Sequence, residues 1–216
     1  MSQTEWADQA EQQILDAALR IAPGEGWGGD LATRAGAACG FSRAEVELLL
    51  PNGSADLAAL LSRRHDAAAL AALAATDPAT LKIRERIRAG VVARLEVADQ
   101  DHEAVRRCVG YLALPTHATL GLRLAWESAD VLWRWAGDTA TDENHYTKRA
   151  ILAGVLMSVA ASDLNAGREA ALAQLDARIQ NVMDFEKWKA GIHPGAVAER
   201  IAGALGRLRY GVRRAG

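Results

Sequence analysis

Cysteines are scarce in this chain, and their placement excludes two kinds of site. Only two occur among 216 residues, Cys39 and Cys108, and neither has a CxxC or CxxH companion. Zinc sites and disulfide frameworks need closely patterned cysteines, so the sequence predicts neither. This cysteine content fits a reducing compartment, and we expect the protein in the cytoplasm.

Long apolar runs and common catalytic signatures are also missing. No uninterrupted apolar run reaches about 18 residues, and the first residues, Met-Ser-Gln-Thr-Glu, are neither basic nor rich in arginine as targeting segments are. We therefore expect a protein that is neither exported nor membrane-spanning. The P-loop, HExxH and GxSxG patterns do not occur. The sequence accordingly predicts no catalytic residue, no cofactor and no enzyme.

Helical periodicity, in contrast, is present from end to end. Apolar residues recur at intervals of three and four, and no stretch alternates with period two for long. This pattern predicts an all-α protein of about ten helices. Residues 1–53 would form a head of three short helices, residues 54–192 a helical body, and residues 193–216 a final helix.

Turn and capping signals place several predicted helix ends. Pro23 should stop the first helix, and Ser42 with Glu45 forms a capping box that opens the third. Asp77 before Pro78 should open a long helix, with proline at its first position. Three short helices with glycine-bounded turns are typical of a helix-turn-helix head.

A polar turn between two long helical patterns holds the most specific motif. Residues 135–149 read Trp-Ala-Gly-Asp-x-x-Thr-Asp-x-Asn-x-Tyr-Thr-x-Arg, and Gly137 can end the first helix in a left-handed conformation. This pattern resembles the hallmark of the ubiquinone-biosynthesis accessory family called Coq-nine, and Leu114-Pro115 upstream also fits that family. The resemblance covers residues 110–161, while the rest of the chain shares only the helical layout. Where that family's pattern has Trp before the Tyr, this chain has His145.

The resemblance implies a function and the residues that carry it out. Members of that family are TetR-like lipid-binding proteins. It therefore implies a homodimer that binds an isoprenoid lipid or ubiquinone precursor and presents it to the hydroxylase of demethoxyubiquinone. The lipid pocket would be walled by Leu122, Trp126, Trp133, Ile151, Val155 and Met157. The partner surface would comprise Asp138, Thr141, Asp142, Asn144, His145, Tyr146 and Arg149.

Both implied sites have simpler interpretations. Trp126 and Trp133 lie seven residues apart on one helix face, which is typical of core packing, and residues 137–149 could be no more than a capped turn. The abundant alanine and glycine of the body either draw helices together or leave a lumen between them. With the resemblance added, we expect a hydrophobic cavity bounded by the two central helices.

A TetR-type transcriptional regulator with an unknown ligand is the main alternative function. DNA-binding heads neutralise phosphates with Lys and Arg, but residues 1–60 hold nine carboxylates against three arginines, a net charge of −6. The presumed recognition helix, residues 43–50, carries Glu45 and Glu47 where a base-reading helix offers Arg, Asn or Gln. The formal charge of the whole chain is −2. We therefore expect no specific nucleic-acid binding.

A metal site is a weaker alternative. Asp99 and His102 lie three residues apart, as do Asp142 and His145, and this is the spacing of carboxylate and histidine ligands in di-iron helical bundles. Both pairs fall at predicted helix starts, where aspartate is favoured for capping. Because no further inward carboxylates accompany them, the sequence predicts no metal.

The last predicted helix combines an apolar stripe with positive charge. Residues 197–216 hold five arginines against one glutamate, a net charge of +4. Such a helix either docks on its own body or lies on an anionic membrane surface. With the resemblance added, we expect peripheral association with the inner face of the membrane. The membrane-binding residues would be Val197, Ile201, Leu205, Arg207, Leu208 and Arg209.

Overall fold

Helices account for all regular secondary structure in residues 3–139 and 143–191, the parts of the chain that this computed structural model describes. The all-α fold predicted from the sequence is thereby confirmed, and the element order is consistent with a TetR-like layout. The helices are α1 (Gln3–Glu25), α2 (Leu31–Ala38), α3 (Arg43–Leu49), α4 (Ser54–Ala72), α5 (Ile83–Asp99), α6 (His102–Leu112), α7 (Ala118–Trp135), α8 (Glu143–Ala166) and α9 (Arg168–Gly191). One turn of 3-10 helix, Pro78–Thr80, lies between α4 and α5.

The short helices of the head are positioned by a cap and a close contact. The capping box predicted at the start of α3 is present: the Glu45 amide donates to Ser42 Oγ over 3.3 Å, and the Ser42 amide donates to a Glu45 carboxylate oxygen over 2.7 Å. Gly36 of α2 faces Val46 of α3 so closely that a methyl group at position 36 would overlap the valine side chain. Glycine therefore sets how near α2 can approach α3.

The head shares its hydrophobic core with the body. Ile14 of α1 and Val46 of α3 lie in the same buried cluster as Leu57 of α4, Cys108 of α6 and Leu124 of α7. Burial of these side chains stabilises both parts of the chain together. From Asp176 onward the chain belongs to a second compact unit, in which α9 is described as far as Gly191. The predicted membrane-binding residues of the last helix lie outside the described residues.

Two predicted helix boundaries are wrong, for reasons of backbone hydrogen bonding. α1 does not stop at Pro23 but continues to Glu25, because a proline removes only one helical N–H bond; Gly26, with φ 92°, ends the helix instead. Asp77 caps only the 3-10 turn, where its Oδ1 accepts a hydrogen bond from the Ala79 amide at 2.9 Å. The chain is extended after that turn, and α5 begins as a separate helix.

The polar turn between α7 and α8 ends α7 as predicted. Gly137 has φ 86°, and the Asp138 amide donates to the Trp133 carbonyl over 3.0 Å. This bond provides a donor for one of the carbonyls that the last turn of a helix leaves unpaired. The predicted cap of α8 by Thr139 or Thr141 involves residues 140–142, which lie outside the described ranges.

α8 is a long and largely apolar helix, although the sequence contains no long uninterrupted apolar run. Between His145 and Ala166 it is long and apolar enough to cross a membrane, judged by length and composition alone. Lys148 and Arg149 lie before the most apolar part of this stretch and Asp163 lies after it, so the sequence has no uninterrupted apolar run of that length. Within the fold, α8 packs one face against the other helices through buried Leu152 and Val159. Only 28% of this stretch is buried, so one face of α8 packs in the core and the rest of the helix is not covered by the described part of the fold.

Candidate functional site

A cavity of about 500 Å³ lies among α4, α5, α6, α7 and α8. Its wall is almost entirely apolar, and its volume falls within the usual range of small-molecule sites. Small side chains make room for it, since Ala118, Gly121 and Ala125 line it on α7 and Ala160 and Ala161 line it on α8. A hydrophobic cavity beside the two central helices, as predicted, is therefore present.

Leu122 and Met157, two of the six residues predicted to wall a lipid pocket, line this cavity. Both side chains also reach the surface, with exposed fractions of 58% and 44%. They therefore mark the place where the cavity wall meets the outer face of α7 and α8.

The other four predicted wall residues do not line the cavity, which corrects the prediction. The Trp133 indole N–H donates to the backbone carbonyl of Lys148 over 3.0 Å, between the two helices. Val155 is buried, whereas Ile151 points outward. The part of the wall on α7 is formed by other residues of that helix, and neither Trp126 nor Trp133 is among them: Ala118, Gly121, Leu122, Leu124, Ala125 and Ser128.

One polar cluster interrupts the apolar wall. Arg94 of α5 donates through Nε to Asp66 over 2.7 Å, and one of its terminal nitrogens lies 3.1 Å from Nδ1 of His65. Ser128 of α7 donates to the other carboxylate oxygen of Asp66 over 2.8 Å. Burial raises the pKa of Asp66, although the bonds from Arg94 and Ser128 act in the opposite direction. Three helices thus contribute to one buried network, which the sequence analysis did not identify.

Burial also decides the charge of His65, which is 4% exposed. Burial, together with the nearby guanidinium groups of Arg94 and Arg64, lowers the pKa of the imidazole to about 3. His65 is therefore neutral at ordinary pH. Because a guanidinium can only donate, Nδ1 accepts the bond from Arg94, and the ring proton is assigned to Nε2. Nε2 is buried with no hydrogen-bond partner among the described residues, and a carboxylate oxygen of Asp101 lies 3.7 Å from it.

A second charged cluster fastens the polar turn to α7 and α8. Arg149 is buried; it donates through Nε to Asp130 over 2.6 Å and through a terminal nitrogen to Asp138 over 2.9 Å. Lys148 also donates to Asp138, over 2.7 Å. Arg134 pairs with Asp130 over 2.8 Å. Burial alone would raise the pKa of each aspartate, yet these bonds outweigh it and hold both pKa values below the ordinary one.

This cluster corrects two of the predicted partner contacts. The side chains of Arg149 and Asp138 are only 2% and 5% exposed and bind each other, so they position the turn and do not reach another protein. Tyr146 is exposed and His145 half-buried, with ring centroids 5.2 Å apart. These two stay predicted contacts. The side chains of Thr141, Asp142 and Asn144 lie outside the described part of the chain.

Apolar side chains continue from the turn towards the cavity along the outer face of the helix pair. Trp126 stacks on Tyr146 with ring centroids 6.2 Å apart, and Leu122 lies one helical turn from Trp126. Large exposed apolar side chains usually mark a binding surface when several occur together. We call the following set the α7–α8 apolar surface: Leu122, Trp126, Tyr146, Ile151 and Met157.

The groups that suggested other functions are engaged locally. In the predicted recognition helix, Arg43 donates to Glu47 over 2.7 Å, so its cation lies against a carboxylate of the same helix. His102 lies 3.5 Å from Asp99, and no group of three or more potential metal ligands occurs among the described residues. The glycines at positions 24, 26 and 29 match the letters of a dinucleotide-binding fingerprint, but they follow helix α1, whereas that fingerprint follows a strand.

Comparison with known proteins points to one family. The sequence model of the family described as COQ9 matches residues 118–186, which include α7 and α8. The protein named "Ubiquinone biosynthesis protein COQ9, mitochondrial" in Xenopus tropicalis is 28% identical over 159 residues, which are 68% of this chain and 49% of that protein. The Rattus norvegicus protein of that name is 27% identical over 189 residues, 82% of this chain and 60% of its own length. The Homo sapiens protein is 27% identical over 156 residues, 68% and 48% respectively.

The matched region coincides with the helices that carry the site. It contains the polar turn, the buried charged cluster and the part of the cavity wall on α7 and α8. The matched stretches cover 49% of the Xenopus tropicalis protein and 60% of the Rattus norvegicus protein, so the chain spans only part of these relatives. Their names place those relatives in mitochondria and give no support to the cytoplasmic location expected from the cysteine content. Over residues 118–186 this chain is similar to the COQ9 family, the Coq-nine family that its motif resembles.

Proposed function

We propose that this chain is a non-enzymatic lipid-binding protein of ubiquinone biosynthesis, which holds an isoprenoid ubiquinone precursor and presents it to the hydroxylase of demethoxyubiquinone. The observation that carries the proposal is the apolar cavity of about 500 Å³ against α7 and α8. Such a wall suits an isoprenoid tail, because burying apolar surface is favourable by roughly 25 cal/mol per Å². The pathway comes from the name of the relatives, ubiquinone biosynthesis protein.

The position of the cavity supports presentation as well as storage. Leu122 and Met157 belong both to its wall and to the α7–α8 apolar surface. A lipid leaving the cavity between these side chains would emerge on that surface. A hydroxylase bound there would receive the lipid without exposing its tail to water, which is unfavourable for hydrocarbon.

A homodimer and a membrane surface complete the proposal. The outer face of α8 is apolar around Ile151 and Met157, and a Cβ atom at Gly154 would meet nothing within 4 Å. Such a face supports contact with an apolar partner. Peripheral membrane binding by residues 193–216 follows from the apolar stripe and the arginines of that segment, as the family resemblance implies.

Filling the cavity should weaken lipid binding. We expect Ala125→Trp, which places an indole in the cavity wall, to weaken binding of an isoprenoid quinone at least about tenfold, because the side chain occupies the space of the ligand. Native mass spectrometry of protein extracted from its own membranes gives the bound lipid, and fluorescence titration gives the affinity. The control is Ala67→Trp, the same change at an exposed position of α4 outside the cavity. Full affinity in both variants, with no lipid on the native protein, would remove the carrier role.

The partner surface should depend on Tyr146. We expect Tyr146→Ala to weaken binding of the hydroxylase by about tenfold without changing the unfolding midpoint, because exposed aromatic side chains often carry interface energy. Calorimetric titration with purified hydroxylase measures this change. Leu48→Ala, at an exposed apolar position of α3, is the matched control and should bind like the wild type. Equal affinity of all three proteins would exclude Tyr146 from the contact.

A further inference from the structure

The apolar cavity is polar at one place, and that place has an unused hydrogen-bond donor. His65, Arg94 and Ser128 all line the cavity. Within their network the Arg94 guanidinium bonds Asp66 and His65, and the Ser128 hydroxyl bonds Asp66. Among the cavity-lining side chains of the described part of the chain, only His65 has a polar atom, Nε2, that is buried without a hydrogen-bond partner.

An unpaired N–H inside a protein is unfavourable, because it has lost its bonds to water and gained none. Native structures keep few such groups, and each calls for an explanation. Asp101 does not provide one, because its carboxylate oxygen lies 3.7 Å from Nε2, beyond hydrogen-bond distance. The side chain of His65 also lines the cavity, so a ligand in the cavity is a candidate acceptor.

The charges around the donor decide which acceptor it suits. The positive charge of Arg94 is balanced by Asp66 at 2.7 Å, and the imidazole is held neutral by burial. Asp101 adds a negative charge near Nε2. A phosphate or carboxylate would meet no unbalanced positive charge at this wall and would lose its hydration. A neutral oxygen loses far less and can accept the same bond.

We propose that His65 Nε2 donates a hydrogen bond to a ring oxygen, a carbonyl or a hydroxyl, of a neutral apolar ligand in the cavity. This inference rests on the proposed lipid-binding function and adds an orientation. The ring of the ligand lies against α4 and α5 at the polar cluster, and its hydrocarbon tail lies along the apolar wall towards Leu122 and Met157.

Three probes of matched size test this assignment on the full chain: a decyl-substituted benzoquinone, decylbenzene and decyl phosphate. We expect the wild type to bind the quinone about tenfold more tightly than decylbenzene, which is the usual worth of one hydrogen bond. Decyl phosphate should bind more weakly than the quinone. His65→Phe should lose the preference for the quinone and keep its affinity for decylbenzene. His65→Gln, which retains an N–H at a similar reach, should restore part of the preference.

Ser62→Ala is the matched control, because Ser62 is another polar side chain of the cavity wall, and this variant should keep the preference. Should His65→Phe fail to fold, the nitrogen resonance of His65 Nε2 in the wild type decides. It should shift on addition of the quinone and stay in place on addition of decylbenzene.

The outcomes separate the two proposals. Binding of none of the probes by the wild type would overturn the lipid-binding function itself. Equal binding of quinone and decylbenzene, or a preference that survives in His65→Phe or disappears in Ser62→Ala, would overturn the assignment of His65 and leave lipid binding standing. Tightest binding of decyl phosphate would instead identify an anion site.

Discussion

Replacing Arg149 by methionine is expected to lower the free energy of unfolding by about 3 kcal/mol, since removing one partner of a buried ion pair leaves an uncompensated charge. Arg149 is 2% exposed and bonds Asp130 and Asp138. Methionine keeps much of the volume but donates nothing. Asp138 would keep only Lys148 as a charged partner among those described. Chemical denaturation followed by circular dichroism measures the loss.

Arg134→Met is the control, because it removes a cation from the same aspartate at the surface. The Arg134 side chain is 73% exposed and lies 2.8 Å from Asp130, and exposed ion pairs contribute only about 0 to 1 kcal/mol. A large loss in the Arg149 variant with a small loss in the Arg134 variant would establish the buried cluster as structural. Equal, small losses would contradict that role and return Arg149 to the predicted partner contacts.

Lowering the pH from about 8 to about 5 is expected to reduce the free energy of unfolding by about 2 kcal/mol through His65 alone. Its folded pKa is about 3, and its ordinary value is 6.5. Between these two pKa values the unfolded chain binds a proton that the folded chain excludes. The contribution of His65 to stability is therefore fully present above pH 6.5 and decreases as the pH falls below that value. A pH of about 5 lies about 1.5 pH units below the ordinary pKa, and each unit corresponds to about 1.36 kcal/mol, which gives the loss of about 2 kcal/mol.

The comparison of wild type with His65→Gln isolates this contribution. Burial raises the pKa of Glu11 and of Asp66, and raised carboxyl pKa values act in the opposite direction on acidification, but both groups remain in the variant. Denaturation curves at the two pH values should show a smaller loss of stability in His65→Gln than in the wild type, by about the amount above. The same pH dependence in both proteins would show that His65 is protonated in the fold.

Local signals in the sequence predicted local features correctly. The Ser42 capping box and the end of α7 at Gly137 depend on residues within one or two turns of each other, and both are present. The apolar periodicity predicted helices for the same reason. Asp77 before Pro78 failed because a 3-10 turn satisfies the same cap as an α-helix and the continuation depends on later residues.

Contacts between residues far apart in the sequence could not be predicted from local patterns. Asp66 and Ser128, which bond across the polar cluster, are 62 residues apart in sequence, and Arg94 is 28 residues from Asp66. A sequence signal for the burial of His65 did exist, because Leu61 and Ala69 lie four residues to either side and are buried. Its unpaired nitrogen became visible only with the neighbouring helices in place.

The places of the predicted site residues in the fold depend on which side of the helix pair they face. The family resemblance placed Trp126 and Met157 in one pocket, but Trp126 stacks on Tyr146 while Met157 lies at the cavity edge. The family resemblance also placed Arg149 on the partner surface, because it belongs to the matching motif. Only the meeting of two aspartates from α7 and the turn makes its burial possible.

The continuity of α8 from the turn to the cavity has a thermodynamic consequence. Tyr146 stands near its start and Met157 on the cavity wall, eleven residues later, which is roughly 16 Å along one helix axis. A partner that binds at Tyr146 and a ligand that binds at Met157 would both contact the same helix. If the bound ligand tightens the hydroxylase complex by some factor, the hydroxylase must tighten ligand binding by the same factor, because binding free energies around a closed cycle are reciprocal. Lipid loading and complex formation on this helix would then be two coupled equilibria, and either one could be measured to obtain the shared coupling factor.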